Sequence, residues 1–249
     1  MNRILEVCVD SLASAREAVK GGADRLELCS ALALGGLTPY AALLRQIKSE
    51  SNIPVRCLMR PRAGDFLYTA EELALLCAQI KELKEAGADG FVLGCLTADG
   101  TLDEAALAPL IEACGDKPRT LHRAIDVSAD LEETYRAAHA LGFDTVLTSG
   151  GCAAAIDGAE TIGRLLALRE TLRGPEVLIG AGVNAAVIAR FREKFPAARA
   201  FHMSGKREIE SAMRFRREGV PMGVPGMDEW HIAQTSAEAV AAAKRELEK

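Results

Sequence analysis

The chain has 249 residues, of which 49% are hydrophobic and only 4% aromatic, so its core must be built from Ala, Leu, Val and Ile; that is the palette of parallel strands buried on both faces. A formal net charge of −5 gives no electrostatic reason to expect nucleic acid or an anionic membrane as a partner. Seven cysteines, an odd number with no C-x-x-C pair, read as a reduced, cytoplasmic protein rather than a disulfide framework, no apolar run approaches the roughly 18 residues of a membrane span, and Met1–Asp10 lacks the layout of a signal peptide.

From the amino end, short apolar runs fit for buried strands are predicted at Ile4–Cys8, Arg25–Cys29, Val55–Arg60, Phe91–Cys95, Thr120–His122, Thr145–Thr148, Val177–Ile179 and Ala200–Met203. Helical patterns follow the strands. Thr38-Pro39 reads as an N-cap with proline at the first helical position. Thr69-x-x-Glu72, Thr101-x-x-Glu104 and Thr235-x-x-Glu238 have the spacing of capping boxes. Over Glu71–Ala86, Leu73, Leu76, Ile80 and Leu83 recur at helical intervals. One punctuation repeats: Gly22-Ala23-Asp24, Gly87-Ala88-Asp89 and Gly142-Phe143-Asp144 each close a helical stretch and open a strand, the glycine supplying the left-handed conformation that ends a helix.

Eight such alternations without an antiparallel hairpin signal predict an α/β fold: one domain over residues 1–249, closed as a (β/α)8 TIM-type barrel rather than opened as a doubly wound sheet. The stretch Gly205–Gln234 breaks the rhythm. It is long for a strand-to-helix loop and reads as a lid or an interface element. Its Arg207, Arg214, Arg216 and Arg217 are diluted by Glu208, Glu210 and Glu218, and with Pro221 and Pro225 they read as a solvated face.

Strand residues alternate between the barrel interior and the helices. With Leu5, Val7, Leu26, Leu28, Val55, Cys57 and Met59 facing the helices, Glu6, Cys8, Arg25, Glu27, Cys29, Arg56, Leu58 and Arg60 turn inward. His202 and Ser204 share that parity, and one of His122 and Arg123 enters at the fifth strand, with Asp126 following in the loop. Buried charge is costly unless paired. Polar groups from five strands at the carboxyl-terminal mouth therefore point to a ligand site, because barrels of this type carry their sites there. Glu6 and Glu27 are the expected carboxylate partners of Arg60, and Arg60 and the His122-Arg123 pair are expected to share one site.

A second element is a predicted anion site, in which small residues let backbone N–H groups approach a negative charge. It comprises Arg62, the Ser149-Gly150 turn, Gly182 before the seventh helix, and Ser204 after the eighth strand.

Several motifs together resemble the CutC family: Leu5-Glu6-Val7-Cys8-Val9-Asp10-Ser11, the run from Gly21 to Ser30, Gly35-Gly36-Leu37-Thr38-Pro39, Met59-Arg60-Pro61-Arg62 with Gly64-Asp65-Phe66, His122-Arg123-Ala124 with Asp126, and Leu147-Thr148-Ser149-Gly150. The likeness continues through Phe215-Arg216 and Met222-Gly223, so it spans nearly the whole chain. It implies a cytoplasmic barrel, a homodimer or higher homo-oligomer, associated with copper homeostasis and in some members with Cu(I) binding. The matching residues are Glu6, Cys8, Glu27, Cys29, Arg60, Arg62, Asp65, His122, Arg123 and Asp126. The chain departs from the family pattern at Leu34, where a Glu is usual, and at Tyr40, Ala63 and Ile125.

Two functions follow from one pocket. In the first, Cu(I), which prefers soft thiolate ligands, is held by Cys8 and Cys29, whose shared parity on adjacent strands predicts Cα atoms within about 7 Å, the reach of a disulfide. In the second, a lyase, isomerase or hydrolase acts on a small anionic or phosphorylated metabolite. Glu6 or Glu27 would be its base, His122 its acid or electrophile, and Arg60 its anion clamp, with Arg123 and Asp126 beside them. No organic cofactor is expected, and the partners are a small anion or Cu(I).

Overall fold

The computed structural model describes residues 3–217, 219–220, 222–223 and 228–249. Eight parallel strands alternate with eight helices: β1 (Ile4–Val9), α1 (Leu12–Lys20), β2 (Arg25–Leu28), α2 (Ala41–Glu50), β3 (Val55–Leu58), α3 (Ala70–Glu85), β4 (Gly90–Leu93), α4 (Glu104–Cys114), β5 (Arg119–Leu121), α5 (Leu131–Ala140), β6 (Thr145–Thr148), α6 (Ala159–Leu172), β7 (Glu176–Ile179), α7 (Ala185–Lys194) and β8 (Ala200–Met203), with α8 (Ala237–Glu248) closing the chain. The strands form a closed barrel in sequence order, β8 returning to pair with β1. The expected (β/α)8 barrel is thus the fold. Among the described residues, no helix is long and apolar enough to cross a membrane.

The Gly-x-Asp repeat has a structural cause. Gly22, Gly87 and Gly142 take φ of +87°, +101° and +73°, ending each helix in the left-handed region open to glycine. The aspartate two residues on then grips the strand before it at two points. The Asp24 amide donates to Leu5 O, and the Leu5 amide donates to Asp24 Oδ2 at 2.7 Å. Asp89 does the same with Val55, and Asp144 with Arg119, at 2.8 and 2.6 Å. The first residues of a strand lack a ladder partner, so this carboxylate satisfies an otherwise orphaned donor.

Most of the apolar core lies between barrel and helices, where Leu26, Phe91, Leu76, Ile80 and Phe201 are fully buried. Two smaller clusters lie inside the barrel: Cys8, Cys29, Leu58 and Val92, and Leu147, Leu178 and Ala200.

Some local expectations shift. Thr69 and Glu72 form the predicted capping box, but α4 and α8 are capped by Asp103 and Ser236, two residues and one residue beyond the predicted Thr101 and Thr235. Thr38 does not cap α2, which begins after Tyr40 without a side-chain cap. Its hydroxyl instead accepts from the Arg60 amide at 3.0 Å and donates to Arg60 O at 3.1 Å, tying the chain after β2 to the chain after β3. The predicted third strand also ends earlier, at Leu58.

The segment after β8 is a hairpin rather than an irregular loop. β9 (Lys206–Glu210) pairs antiparallel with β10 (His231–Thr235), and its root is fixed where the Thr235 amide donates to Ser14 Oγ of α1. Further out, Met213, Phe215 and Met222 are exposed, Arg216 lies 5.3 Å over the Trp230 ring, and the arginines sit in solvent as expected. Glu218, Pro221 and Pro225, included in the sequence reading of this segment, lie outside the described residues.

Candidate functional site

The inward parity of Glu6, Cys8, Arg25, Glu27 and Arg56 holds, but their partners are set by strand register. Glu6 lies opposite both Arg25 and His202, Cys8 opposite Glu27, and Glu27 opposite Arg56. Three polar layers result.

The layer nearest the amino ends of the strands is structural. Arg56 Nη1 donates to Thr120 Oγ1 at 2.6 Å and pairs with Asp144 at 2.8 Å. A Cβ on Gly90 would stand 3.0 Å from the Arg56 Cγ, so glycine leaves room for that side chain. Glu6, fully buried, takes Arg25 Nε at 2.5 Å on one oxygen and His202 Nδ1 at 2.8 Å on the other. Burial alone would raise its carboxyl, but Arg25, then His202 and Arg56, bring it down to about 2. The expected Glu6–Arg60 pairing does not form, because Arg25, one strand nearer, takes the carboxylate.

Above it lies a thiol, a carboxylate and an imidazole. Ligand atoms of Cys8, Glu27 and His202 all lie within 4.8 Å of one another. His202 Nε2 is 3.8 Å from Glu27 Oε2, Cys8 Sγ donates to Met203 O at 3.6 Å, and Cys29 Sγ donates to Glu27 Oε2 at 3.4 Å. Burial opposes charge on His202, yet Cys8, Glu27 and Glu6 together hold it well above the usual imidazole range. Burial raises Glu27 against the pull of His202, and burial with Glu27 and Cys8 drives the Cys29 thiol up. Cys8 and Cys29 do share one small cluster with Leu58 and Val92. Register, however, places Cys29 beyond the residue that faces Cys8, so Glu27 and His202, rather than a second thiol, complete the three-residue group.

A third group forms where the chain leaves β3, β4 and β5. His122 is buried, its Nδ1 accepting from the Ala124 amide at 3.2 Å. Burial, then Arg60, pushes it down to about 3, so the ring is neutral with its proton on Nε2. Its ring lies 4.7 Å from that of Phe66, over which Arg60 sits at 5.3 Å. A Cβ on Gly94 would come within 2.7 Å of His122 Cε1, which is why the fourth strand runs out into glycine. Arg60 binds carbonyls rather than Glu6 or Glu27: Nη1 donates to Leu34 O and Gly36 O at 3.1 and 3.0 Å, and Nη2 to Gly64 O at 3.0 Å.

Arg123 turns away from His122. Its Nε pairs with Asp126 at 2.7 Å and Nη2 donates to Ser149 Oγ at 2.7 Å. The predicted anion turn is already filled by an internal anion: Asp126 accepts from the Ser149 and Gly151 amides and the Thr148 and Ser149 hydroxyls, while the Gly150 amide goes to Thr148 Oγ1. Arg62 is held by Glu72 and Asp65. Ser204 lies at the root of the hairpin, its carbonyl accepting from Thr235 Oγ1. Gly182, at φ +71°, precedes Asn184, the cap of α7. The predicted anion residues are therefore dispersed over separate elements. Two surface clefts of about 330 and 200 Å³, beside α6 and α7 and between α1 and α2, lie on the outer helical layer away from this chemistry. Sequence reading placed His202 among the polar groups at the mouth but gave it no chemical role, named Phe66 only within a motif, and overlooked Tyr68; two aromatics just after Arg60-Pro61-Arg62, in a chain with so few, were the available signal.

Fold and site define a closed parallel barrel with a thiol–carboxylate–imidazole group at the carboxyl ends of its first, second and eighth strands. The chain belongs to the CutC family, whose model matches residues 3–207 and so stops within β9. It is 40% identical over 250 residues to a CutC family protein of Chromobacterium violaceum, covering all of both chains. It is 41% identical over 221 residues to the human copper homeostasis protein cutC homolog, covering 88% of this chain and 80% of that one. A solved CutC structure from Streptococcus agalactiae superposes with a TM-score of 0.76 at 28% identity, over 81% of this chain and 98% of the other.

Proposed function

We propose that this protein serves copper homeostasis by taking a copper ion as cargo between Cys8 and His202, with Glu27 and Cys29 at the rim. The observation that carries the reading is the convergence of Cys8, Glu27 and His202 within 4.8 Å. The donor set fits the reduced ion, since sulfur and imidazole nitrogen are ligands that Cu(I) accepts. Glu6 orients His202 through Nδ1, leaving Nε2 turned toward the group, as the outer partners of metal-bound histidines commonly do. Binding expels the protons of Cys8 and His202, so affinity rises with pH. The acid–base reading has less support: Glu6 is locked between Arg25 and His202, and His122 belongs to another group of side chains.

The test is Cu(I) titration against a competing chelator under anaerobic conditions. Cys8→Ser and His202→Gln are each expected to weaken binding by at least about tenfold, roughly 1.4 kcal/mol, with Cys29→Ser losing less. Equal affinity in wild type and Cys8→Ser would refute the assignment.

A further inference from the structure

Four arginines of the barrel and its mouth have carboxylate partners: Arg25 with Glu6, Arg56 with Asp144, Arg62 with Asp65 and Glu72, and Arg123 with Asp126. Arg60 differs. Among the described residues it enters no ion pair, and its two terminal nitrogens are spent on carbonyls of the loops after β2 and β3. Its Nε is buried with no hydrogen-bond partner among the described residues.

Arg60 is not alone in this. Among the described residues, His122 Nε2 and the Tyr68 hydroxyl are also buried without partners. His122 is only 4% exposed, and because Nδ1 accepts from Ala124, Nε2 must carry the proton. Buried donors are rarely left unpaired in a folded protein, and each case calls for an explanation. Here three such groups adjoin one loop, residues 60–68, with Phe66 in contact with both His122 and Arg60. All three can donate, and a cation lacking a counter-ion is among them. Donors of this kind are answered by an acceptor-rich anion, and they would repel a metal cation.

We propose that His122 Nε2–H and Arg60 Nε–H form a subsite for the oxyanion of a small molecule, a carboxylate or a phosphate, stoppered in this structure by the ring of Phe66. The subsite is independent of the copper reading, since none of its residues belongs to the Cys8 group. The two share a wall, however: Arg60 holds the Gly36 carbonyl, and a Cβ on Gly36 would stand 3.4 Å from Cys29 Sγ. The ring of Phe66 is the movable part. It is half-buried and meets the His122 ring at a tilt of 45°, held by packing rather than by a polar bond, whereas the main chain around it is fixed by the Leu96 amide on Phe66 O and by Arg62 through Asp65, Leu67 and Glu72.

The experiment follows the imidazole Nε2–H resonance of His122 in histidine-labelled, metal-free protein titrated with inorganic phosphate, with acetate, and with chloride as an ionic control. A saturable shift with phosphate or acetate is expected, and which of them produces it tells an ester from a carboxylate. Phe66→Ala should tighten binding about tenfold by removing the stopper, and Arg60→Lys, which keeps the charge but loses Nε, should weaken it about tenfold. Phe66→Leu replaces Phe66→Ala if the larger truncation unfolds the loop. The proposal is overturned if the resonance responds to neither anion in wild type and the opened variant, responds equally to chloride, or titrates unchanged in Arg60→Lys. A crystal structure in which one water bridges His122 and Arg60 and neither anion displaces it would also overturn it.

Discussion

Glu6→Gln is the sharpest test of the buried charge layer. The amide keeps the shape of the side chain but leaves Arg25, about nine-tenths buried, without its counter-ion. Breaking a buried pair by removing one partner costs about 3–5 kcal/mol. A second route gives a similar size: moving a carboxyl from 4.5 to about 2 corresponds to about 3 kcal/mol of stability. Because the folded protein holds Glu6 ionised, that contribution is complete above the unfolded value of 4.5 and fades as pH falls toward about 2. About 2 kcal/mol of it should be gone by pH 3. Urea unfolding of metal-free wild type and Glu6→Gln between pH 7 and pH 3 should give curves far apart at neutrality and converging in acid. At neutral pH the melting temperature should drop on the order of 6–20 °C. Parallel curves, or a variant as stable as wild type at pH 7, would show that Arg25 does not depend on Glu6.

Asp89→Ala removes the acceptor of the Val55 amide and the partner of Lys48. Because that carboxylate is 41% exposed, the loss should be only about 1–2 kcal/mol, with faster hydrogen exchange at Val55; unchanged protection there would remove the clamp from the account. Asp126→Asn leaves one acceptor oxygen for the donors now shared by two, so about 1–3 kcal/mol should go. The Ser149 and Gly151 amides should exchange faster, and if they do not, another group must be holding the turn.

Inward and outward parity was readable because a strand repeats every two residues, and Glu6, Cys8, Glu27 and His202 all fell on the correct face. Register was not readable. A shift of two positions between adjacent strands, which leaves the parity unchanged, decides whether Cys8 faces Cys29 or Glu27, and no local signal in either strand records it. Arg60 was misread for a related reason. Parity gave its direction, but its partners are carbonyls of Leu34, Gly36 and Gly64, which carry no trace in residue type. The turn at Ser149 looked like an anion site because it is one, except that the anion, Asp126, is supplied by the preceding strand-to-helix loop. The Gly-x-Asp repeat was visible as a pattern, while its meaning required the hydrogen bonds.

That repeat divides the barrel unevenly. Three successive strand pairs are stitched by an aspartate gripping main chain, but at the same place before β8 the residue is Arg199. It reaches the side chain of Glu176, the first residue of β7, at 2.6 Å. An aspartate on backbone fixes the strand itself, whereas Glu176 is held between the side chains of Arg199 and Arg169 of α6, which ties the start of β7 to its neighbours through side chains. The molecule is therefore three quarter-barrels sewn with one thread and a fourth sewn with another, and the fourth is the quarter from which the hairpin departs.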